Sequence, residues 1–450
     1  MLRSLAVLLL ATELAVAQAD TVKGAVIFSR HGDRTWKGAP PTKLTAVGQQ
    51  QIYNSSTYWR SRWLESGSEY QIVNLSEDVY NSAQFSAATP DQPLLVTSGQ
   101  IFLQGLYPPL NKSSEHPLSG HQYVPLTTVP SDSPASIWLK GDDGCPAYDS
   151  LSSRWNSTAQ FKALEESTKD FYLSFYEKIF AGVLPKSKLS YNNAYNIFDY
   201  INVGMVHNET ISKLITRDEL FQLRTLADSA EWAKAATSSA NSALAVSGLT
   251  FASKMLQQLQ AMVDSKGTKG LLNVNFGSYD TMLSFFALAG LPAINPDFYG
   301  LPDYASTLAF ELYSPTNDFP VNPSELKVRF LFRNGTNAPA ESARLFGSTA
   351  ALSWVDFKAE MEKISLKSVE EWCAFCGSTE YYCLPYKQEA KGVTKEVAGA
   401  IGAVVTLGVL IIAAAVAAVA GVRMTRRAKI GTVAMVSGGK QFDETSSYAG

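Results

Sequence analysis

The chain has 450 residues, 46% of them hydrophobic, and its 41 acidic side chains outnumber its 38 basic ones, which gives a net charge of −3. This negative balance excludes the strongly basic surface that nucleic-acid binding requires, so no nucleic-acid partner is expected. The length leaves room for a large globular body between two distinctive chain ends.

The first 19 residues have the pattern of a secretory signal peptide. The basic residue Arg3 precedes a short apolar run over residues 5–10, and small residues follow at Ala17 and Ala19. This order predicts export of the chain and cleavage after Ala17 or Ala19. A short signal anchor is the alternative, but the apolar run is too short to favour it.

The body of the chain, residues 20–390, alternates short apolar runs with helical patterns. We predict strands at residues 24–29, 271–276, 306–313 and 326–332, and helices at residues 45–64, 97–106 and 280–291. Thr45 has the side chain of an N-cap for the first of these helices. Strands interleaved with helices predict an α/β fold, with a mixed, mainly parallel sheet and helices on both faces.

The middle of the chain differs from its flanks. Residues 158–263 show long helical periodicity with almost no strand signal, and Phe161, Phe171 and Phe175 recur near one face. A helical block inserted between the first and last strands predicts a cap over the sheet edge, at about residues 140–265. The Pro- and Ser-rich residues 108–134 before it are predicted to form a long loop.

The segment 397–422 has the pattern of a membrane-spanning helix. It carries no charge and is long enough to cross a bilayer. The residues that follow it are basic, namely Arg423, Arg426, Arg427 and Lys429. The positive-inside rule therefore predicts a single-pass type I protein of the secretory pathway, with residues 20–390 extracellular or lumenal and the tail 423–450 cytoplasmic. A lipid-anchor signal is the alternative, but it would end in its apolar stretch.

Two further features fit an exported chain. Six sequons make glycosylation candidates of Asn54, Asn74, Asn111, Asn156, Asn208 and Asn334. Four cysteines, Cys145, Cys373, Cys376 and Cys383, are expected to form two disulfides with three possible pairings. A zinc site at the Cys-x-x-Cys pair is the rival hypothesis, but the chain has no second such pair.

The stretch Phe-Ser-Arg-His-Gly-Asp-Arg-Thr, residues 28–35, carries the most specific chemistry. It places His31 at the end of a predicted strand, where open α/β sheets bind ligands. The guanidinium groups of Arg30 and Arg34 match the geometry of phosphate, and Gly32 permits close approach of the backbone. Two positive neighbours favour a neutral imidazole, which is able to attack phosphorus. A surface turn with solvated charges is the alternative that these residues alone leave open.

These residues resemble the Arg-His-Gly-x-Arg signature of the histidine acid phosphatase family, in the histidine phosphatase superfamily with its phosphoglycerate mutase-like fold. Residues 44–48 resemble the Leu-Thr-x-x-Gly segment that follows this signature in the family, and the Trp-Cys-x-x-Cys end at residues 372–376 also fits. Segments that resemble fungal members lie between them at residues 102–109, 198–204 with His207, and 310–313. The resemblance implies that His31 becomes a phosphohistidine, that Arg30 and Arg34 bind phosphate, and that Asp280 is the proton donor. A plain helix-capping role for Asp280 is compatible with this. The expected activity is hydrolysis of phosphomonoesters by a membrane-anchored enzyme, with no metal or cofactor.

Two pocket residues that the resemblance implies are missing. Tyr279 occupies the position of a histidine before Asp280, and residues 80–100, where a third arginine is expected, contain no basic side chain. Each lost charge-stabilising donor lowers a rate about 100- to 1000-fold. The other histidines, His116, His121 and His207, are expected to be surface or packed residues. A second hypothesis is therefore a weakened or inactive relative that binds a phosphorylated ligand or partner. A third, an adhesion domain, leaves the basic cluster unexplained.

Overall fold

The computed structural model describes residues 20–110 and 120–386. The predicted signal peptide, the predicted membrane segment 397–422, the tail, Asn111 and His116 lie outside these described residues. Within the described ranges, no helix is both long and apolar enough to cross a bilayer.

The described residues form strands interleaved with helices. The strands, β1–β8 in chain order, are Thr21–Arg30, Phe85–Pro90, Thr127–Val129, Leu272–Gly277, Thr307–Ser314, Lys327–Arg333, Glu341–Ala343 and Leu352–Ser353. The helices, α1–α12, are Ala46–Trp63, Pro93–Leu106, Pro146–Arg154, Ala159–Ser167, Lys169–Phe175, Ala194–His207, Glu209–Leu214, Arg217–Ala235, Val246–Asp264, Tyr279–Leu288, Trp354–Lys363 and Val369–Cys376.

One mixed sheet runs through the molecule in the order β3-β2-β4-β1-β5-β6-β7, and β8 also pairs with β6. Strands β3, β2, β4 and β1 are mutually parallel, whereas β5, β6, β7 and β8 join through antiparallel pairings. The α/β class and the mixed sheet are confirmed, but the prediction of a mainly parallel sheet is wrong. The reason is local: the link from β5 to β6 contains no α-helix to carry the chain across the sheet, so the two strands pair antiparallel.

Helices cover both faces of the sheet. On one face, Trp59 of α1 donates from Nε1 to Oγ1 of Thr307 at 3.0 Å, and α2 packs against β4. On the other face, the ring of Phe251 in α9 lies 5.2 Å from that of Phe28 in β1. The hydroxyl of Thr45 accepts a hydrogen bond from the backbone of Gly48, so the predicted N-cap of α1 is present.

Helices α3–α8, which we call the cap, make up most of the predicted helical block. The block was predicted to reach about residue 265, yet its last helix, α9, lies on the sheet. A Cβ atom on Gly24 of β1 would lie 2.2 Å from Sδ of Met262 in α9, which shows how closely the two elements pack. Periodicity identifies a helix but does not reveal which surface the helix covers. The predicted end of the cap therefore lies after α9 instead of before it.

Strand β2 was not predicted. Its sequence, Phe-Ser-Ala-Ala-Thr-Pro, has a single large apolar residue and ends in proline, so its strand propensity is weak. Pairing with β4 on one side and β3 on the other stabilises it. Strand β3 likewise lies within the predicted loop of residues 108–134.

The cysteines form two disulfides, Cys145–Cys376 and Cys373–Cys383. Both members of the Cys-x-x-Cys pair are thereby used, which removes the thiolates that the zinc hypothesis needs. The described sequon asparagines, Asn54, Asn74, Asn156, Asn208 and Asn334, are all exposed.

Candidate active site

A cleft of about 390 Å³ opens where the parallel strands end. Arg30 at the end of β1 is the register partner of Gly277 at the end of β4, so the residues that follow these strands are brought together. His31 follows β1 directly, and Asp280 lies in the first turn of α10, which begins just after β4. The residues lining this cleft, which we call the His31 cleft, are His31, Arg34, Lys37, Thr42, Gln92, Leu94, Leu95, Lys140, Asp142, Asp143, Ser278, Tyr279 and Asp280.

The imidazole of His31 is buried and held in one tautomer. Nδ1 lies 2.8 Å from the carbonyl oxygen of Gly32, and a carbonyl only accepts, so Nδ1 carries the proton and donates it. Burial, and then the charges of Arg30 and Arg34, lower the pKa of His31 well below its ordinary value. His31 therefore stays neutral in acid, with a free electron pair on Nε2, the state in which an imidazole is a nucleophile.

Gly32 is required for packing in this loop. A Cβ atom at this position would lie 2.2 Å from the carbonyl oxygen of Gly48 in α1. The sequence suggested that this glycine makes space for a ligand. The structure instead shows that it lets the loop after β1 press against the first turn of α1, which fixes the position of His31.

Arg34 is buried and bound to the cap. Its Nη1 lies 2.8 and 3.0 Å from the two carboxylate oxygens of Asp199 in α6, and its Nη2 lies 3.0 Å from the hydroxyl of Tyr195. Asp199 also accepts from the backbone of Lys37 at 2.9 Å and from the hydroxyl of Tyr304 at 3.2 Å. The carboxylate of Asp199 thus ties the loop after β1 to the cap.

Arg30 points elsewhere. It donates to the carbonyl oxygen of Pro302, and its guanidinium lies 4.6 Å from the ring centre of Tyr304 and 5.1 Å from that of Tyr279. It lines a neighbouring cavity of about 410 Å³ and is not among the lining residues of the His31 cleft. Its charge still acts on His31 through the pKa shift described above.

Tyr279 is also bound to the cap. Its hydroxyl donates to Oε2 of Glu231 in α8 at 2.7 Å, and its ring lies 5.3 Å from that of Tyr195. Burial, and then the neighbouring Glu231, raise the pKa of Tyr279 well above its ordinary value, so it remains a neutral phenol. Its single proton is already engaged and is not directed into the cleft.

Two cations of the His31 cleft were missed by sequence reasoning. Lys37 lies three residues after Arg34, and its Nζ is 5.3 Å from the ring centre of Tyr195. Lys140 precedes α3 and pairs with Asp143 at 2.5 Å. Burial lowers the pKa of Lys140, but the charges of Asp143 and Asp142 outweigh this and raise it. The spacing from Arg34 was a weak signal for Lys37, whereas nothing in the sequence pointed to Lys140.

Asp142 was missed as well. It lines the cleft together with Asp280, and its pKa is raised well above its ordinary value by burial and then by the charges of Asp280 and Asp143. Among the described residues, no group of three or more His, Cys, Asp or Glu side chains is arranged to hold a metal ion.

His207 lies at the end of α6 but does not line the His31 cleft. Its Nε2 is 2.5 Å from Oδ2 of Asp33, which also accepts from the hydroxyl of Thr45 at 2.9 Å. His207 therefore joins the cap to the loop after β1 in a structural role. The ring of His121 packs 4.9 Å from that of Tyr123.

Comparison with known proteins identifies the family of the chain. The model of the histidine phosphatase superfamily (branch 2) matches residues 35–333. A lysosomal acid phosphatase from Xenopus laevis is 23% identical over 82% of this chain and 83% of its own length, and a human prostatic acid phosphatase is 24% identical over 71% and 79%.

Solved structures show the same fold. The phytase from D. castellii superimposes with a TM-score of 0.52 at 13% identity, over 81% of this chain and 83% of its own. The phytase from Citrobacter braakii superimposes with a TM-score of 0.51 at 14% identity, over 78% and 99%. From the family match and these relatives, the chain belongs to branch 2 of the histidine phosphatase superfamily, alongside the acid phosphatases.

Proposed function

We propose that this protein is an acid phosphatase that hydrolyses phosphomonoesters through a phosphohistidine on His31. The observation that carries the proposal is the state of that imidazole. Nδ1 donates to Gly32, the pKa is depressed, and the residue lines a cleft that also contains a carboxylic acid and three cations. An imidazole that stays neutral at low pH is the nucleophile that an acid phosphatase needs.

The first chemical step forms a bond between Nε2 of His31 and phosphorus while the bond to the leaving oxygen breaks. Asp280, which lines the same cleft, protonates the leaving oxygen. In the second step a water molecule gives its proton to the carboxylate, its oxygen bonds to phosphorus, and the phosphorus–nitrogen bond breaks. The proton and the imidazole are then back in their starting states.

Positive charge for the phosphate comes from Arg34, Lys37 and Lys140, all of which line the cleft. The two lysines take the place of the arginine and the histidine that the family signature leads one to expect. Each such donor is worth about 100- to 1000-fold in rate, so this substitution offsets the loss that the sequence alone suggested.

The cleft supports a monoester substrate better than a polyphosphate. Three carboxyl groups, Asp142, Asp143 and Asp280, share the lining with the three cations. A ligand carrying several phosphates would place some of them against these carboxylates, where like charges repel. We therefore place simple phosphomonoesters ahead of inositol polyphosphates.

A second candidate function is binding of a phosphorylated ligand without turnover. Both arginines of the signature already have partners within the protein: Arg34 is paired with Asp199, and Arg30 donates to the carbonyl of Pro302. This observation favours binding without turnover. A phosphate would have to share these guanidinium groups with their present partners.

The experiment that decides uses the full-length chain from a secretory host, in detergent. Hydrolysis of p-nitrophenyl phosphate is measured at about pH 5, because the pKa of His31 is lowered well below its ordinary value. We expect clear turnover, its complete loss in His31→Ala, and a decrease of about 100- to 10,000-fold in Asp280→Asn. Folded wild-type protein that hydrolyses none of several phosphomonoesters between acid and neutral pH would leave the binding function.

We also propose that the chain enters the secretory pathway and is held in a membrane by residues 397–422. The two disulfides support an oxidising compartment, and the exposed sequon asparagines are accessible to glycosylation. The active-site cleft would then face the lumen or the cell exterior.

A further inference from the structure

Asp142 lies in a turn that is fixed from several sides. The turn precedes α3 and is closed by the disulfide between Cys145 and Cys376. Nε1 of Trp372 donates to the carbonyl of Gly141 at 2.8 Å, and the hydroxyl of Ser378 donates to that of Gly144 at 2.8 Å. The C-terminal part of the described chain thus holds the backbone of this turn on both sides of Asp142, which preorganises the side chain.

Asp142 and Asp280 present an unusual pair of carboxyl groups. Both are half-buried and line the His31 cleft, yet each has an Oδ1 that is enclosed and has no hydrogen-bond partner among the described residues. Two carboxylates that lie near each other with enclosed, unpaired oxygens are unfavourable when both are ionised. One shared proton removes the repulsion and supplies a donor.

The surroundings assign that proton to Asp142. Burial, then Asp280 from α10, then Asp143 from its own turn raise its pKa, and the ammonium of Lys140 opposes them only in part. Burial, and then the charges of Asp142 and Asp280, raise the pKa of Tyr148 in α3, so its phenol stays neutral. Asp280 lies in the first turn of α10, where the helix dipole favours negative charge.

We propose that Asp142 is a second proton-transfer residue, which shares one proton with Asp280 and supplies it, through this pair, to the leaving oxygen of the phosphate ester. When the phosphorus–nitrogen bond to His31 forms, the pair loses its proton and the alcohol departs neutral. When water cleaves that bond, the pair recovers a proton from the water. This inference rests on the proposed function and adds to it a carboxyl that the family signature does not contain.

The test compares two substrates in full-length Asp142→Asn. An alkyl phosphate has a leaving group that must be protonated, whereas dinitrophenyl phosphate has one that departs without a proton. We expect kcat/KM for the alkyl phosphate to decrease about 100-fold or more, and that for dinitrophenyl phosphate to change less than about threefold. The fall in kcat with rising pH should move to lower pH, because the substitution removes the carboxyl whose pKa is raised, namely that of Asp142.

Two matched variants separate proton transfer from bulk charge and from misfolding. Asp149→Asn removes an exposed carboxylate from the first turn of α3, outside the cleft, and should not change the ratio of the two substrates. Asp142→Glu restores the acid and should recover the alkyl phosphate rate at least in part. If Asp142→Asn lowers kcat/KM equally for both substrates, so that the ratio of the two values equals that of wild type, the assignment of Asp142 is overturned. Wild-type protein without His31-dependent turnover would instead overturn the proposed function, so the two failures are distinguishable.

Discussion

The Asp199→Asn substitution tests whether the cap holds Arg34, to which we assign phosphate binding, in place. Asp199 accepts two hydrogen bonds from Arg34, one from the backbone of Lys37 and one from the hydroxyl of Tyr304. Both members of the ion pair have side chains that are only 3% exposed. Burial alone lowers the pKa of Arg34, but Tyr195, Tyr304 and Asp199 together raise it above its ordinary value, so the guanidinium remains charged.

An amide at position 199 keeps the shape and removes the charge. The buried guanidinium of Arg34 is then left without a counterion, which costs about 3–5 kcal/mol of folding free energy. For a folded body of about 360 residues each kcal/mol corresponds to about 1.3 °C, so the melting temperature should fall by about 4–6 °C. Inorganic phosphate should reverse much of this loss, because a bound phosphate replaces the carboxylate as the partner of Arg34.

The assay is thermal unfolding of the full-length protein with and without inorganic phosphate. Glu209→Gln is the matched control: it is also an acid-to-amide change in the cap, but its partner Lys213 is 71% exposed and the pair is worth little. We expect the control to melt within about 2 °C of wild type. The reasoning is refuted if Asp199→Asn melts with the wild type, or if phosphate raises both melting temperatures equally.

Three other predictions follow from the charges, the crosslinks and the chain end. Arg30→Gln removes one of the positive charges that lower the pKa of His31, so the imidazole becomes protonated at a higher pH. In the pH profile of kcat/KM, the acid limb should therefore shift to higher pH while the position of the alkaline limb does not change. Replacing Cys145 and Cys376 together by serine should cost about 2–5 kcal/mol, measured by urea unfolding, and should weaken alkyl phosphate hydrolysis through the turn that carries Asp142. The full-length chain should stay in the membrane fraction after carbonate extraction, whereas a chain that stops before residue 397 should be released, and endoglycosidase should lower the mass of both.

Strands β1, β4, β5 and β6, and the sheet edge that carries His31, were predictable from the sequence. A short apolar run that ends in Arg-His-Gly predicted β1 and placed His31 beyond it, and a second run before Asp280 predicted β4 and α10. These signals are local, because strand formation and helix capping depend on neighbouring residues. The parallel register of β1 and β4 then brings His31 and Asp280 to one cleft.

The partners from outside the sheet were not predictable. Asp199, Glu231 and Lys140 lie on helical or loop segments far along the chain, where an acid or a lysine is normally a solvated surface residue. Only tertiary packing brings Asp199 to Arg34, Glu231 to Tyr279 and Lys140 into the His31 cleft. No periodicity in the sequence encodes that contact.

Contacts with Arg30 and with Glu231 of the cap explain why position 279 holds a tyrosine in place of the histidine that the family resemblance implies. A cationic ring at this position would repel Arg30, since the guanidinium lies 5.1 Å from the centre of the Tyr279 ring. A neutral phenol instead gives Arg30 an aromatic surface and gives Glu231 a donor. The positive charge that the sheet edge loses is supplied from Lys37 and Lys140, which enter the cleft from the loop after β1 and from the turn before α3. The His31 cleft therefore contains two cations that the family signature does not include, and they share its lining with three carboxyl groups.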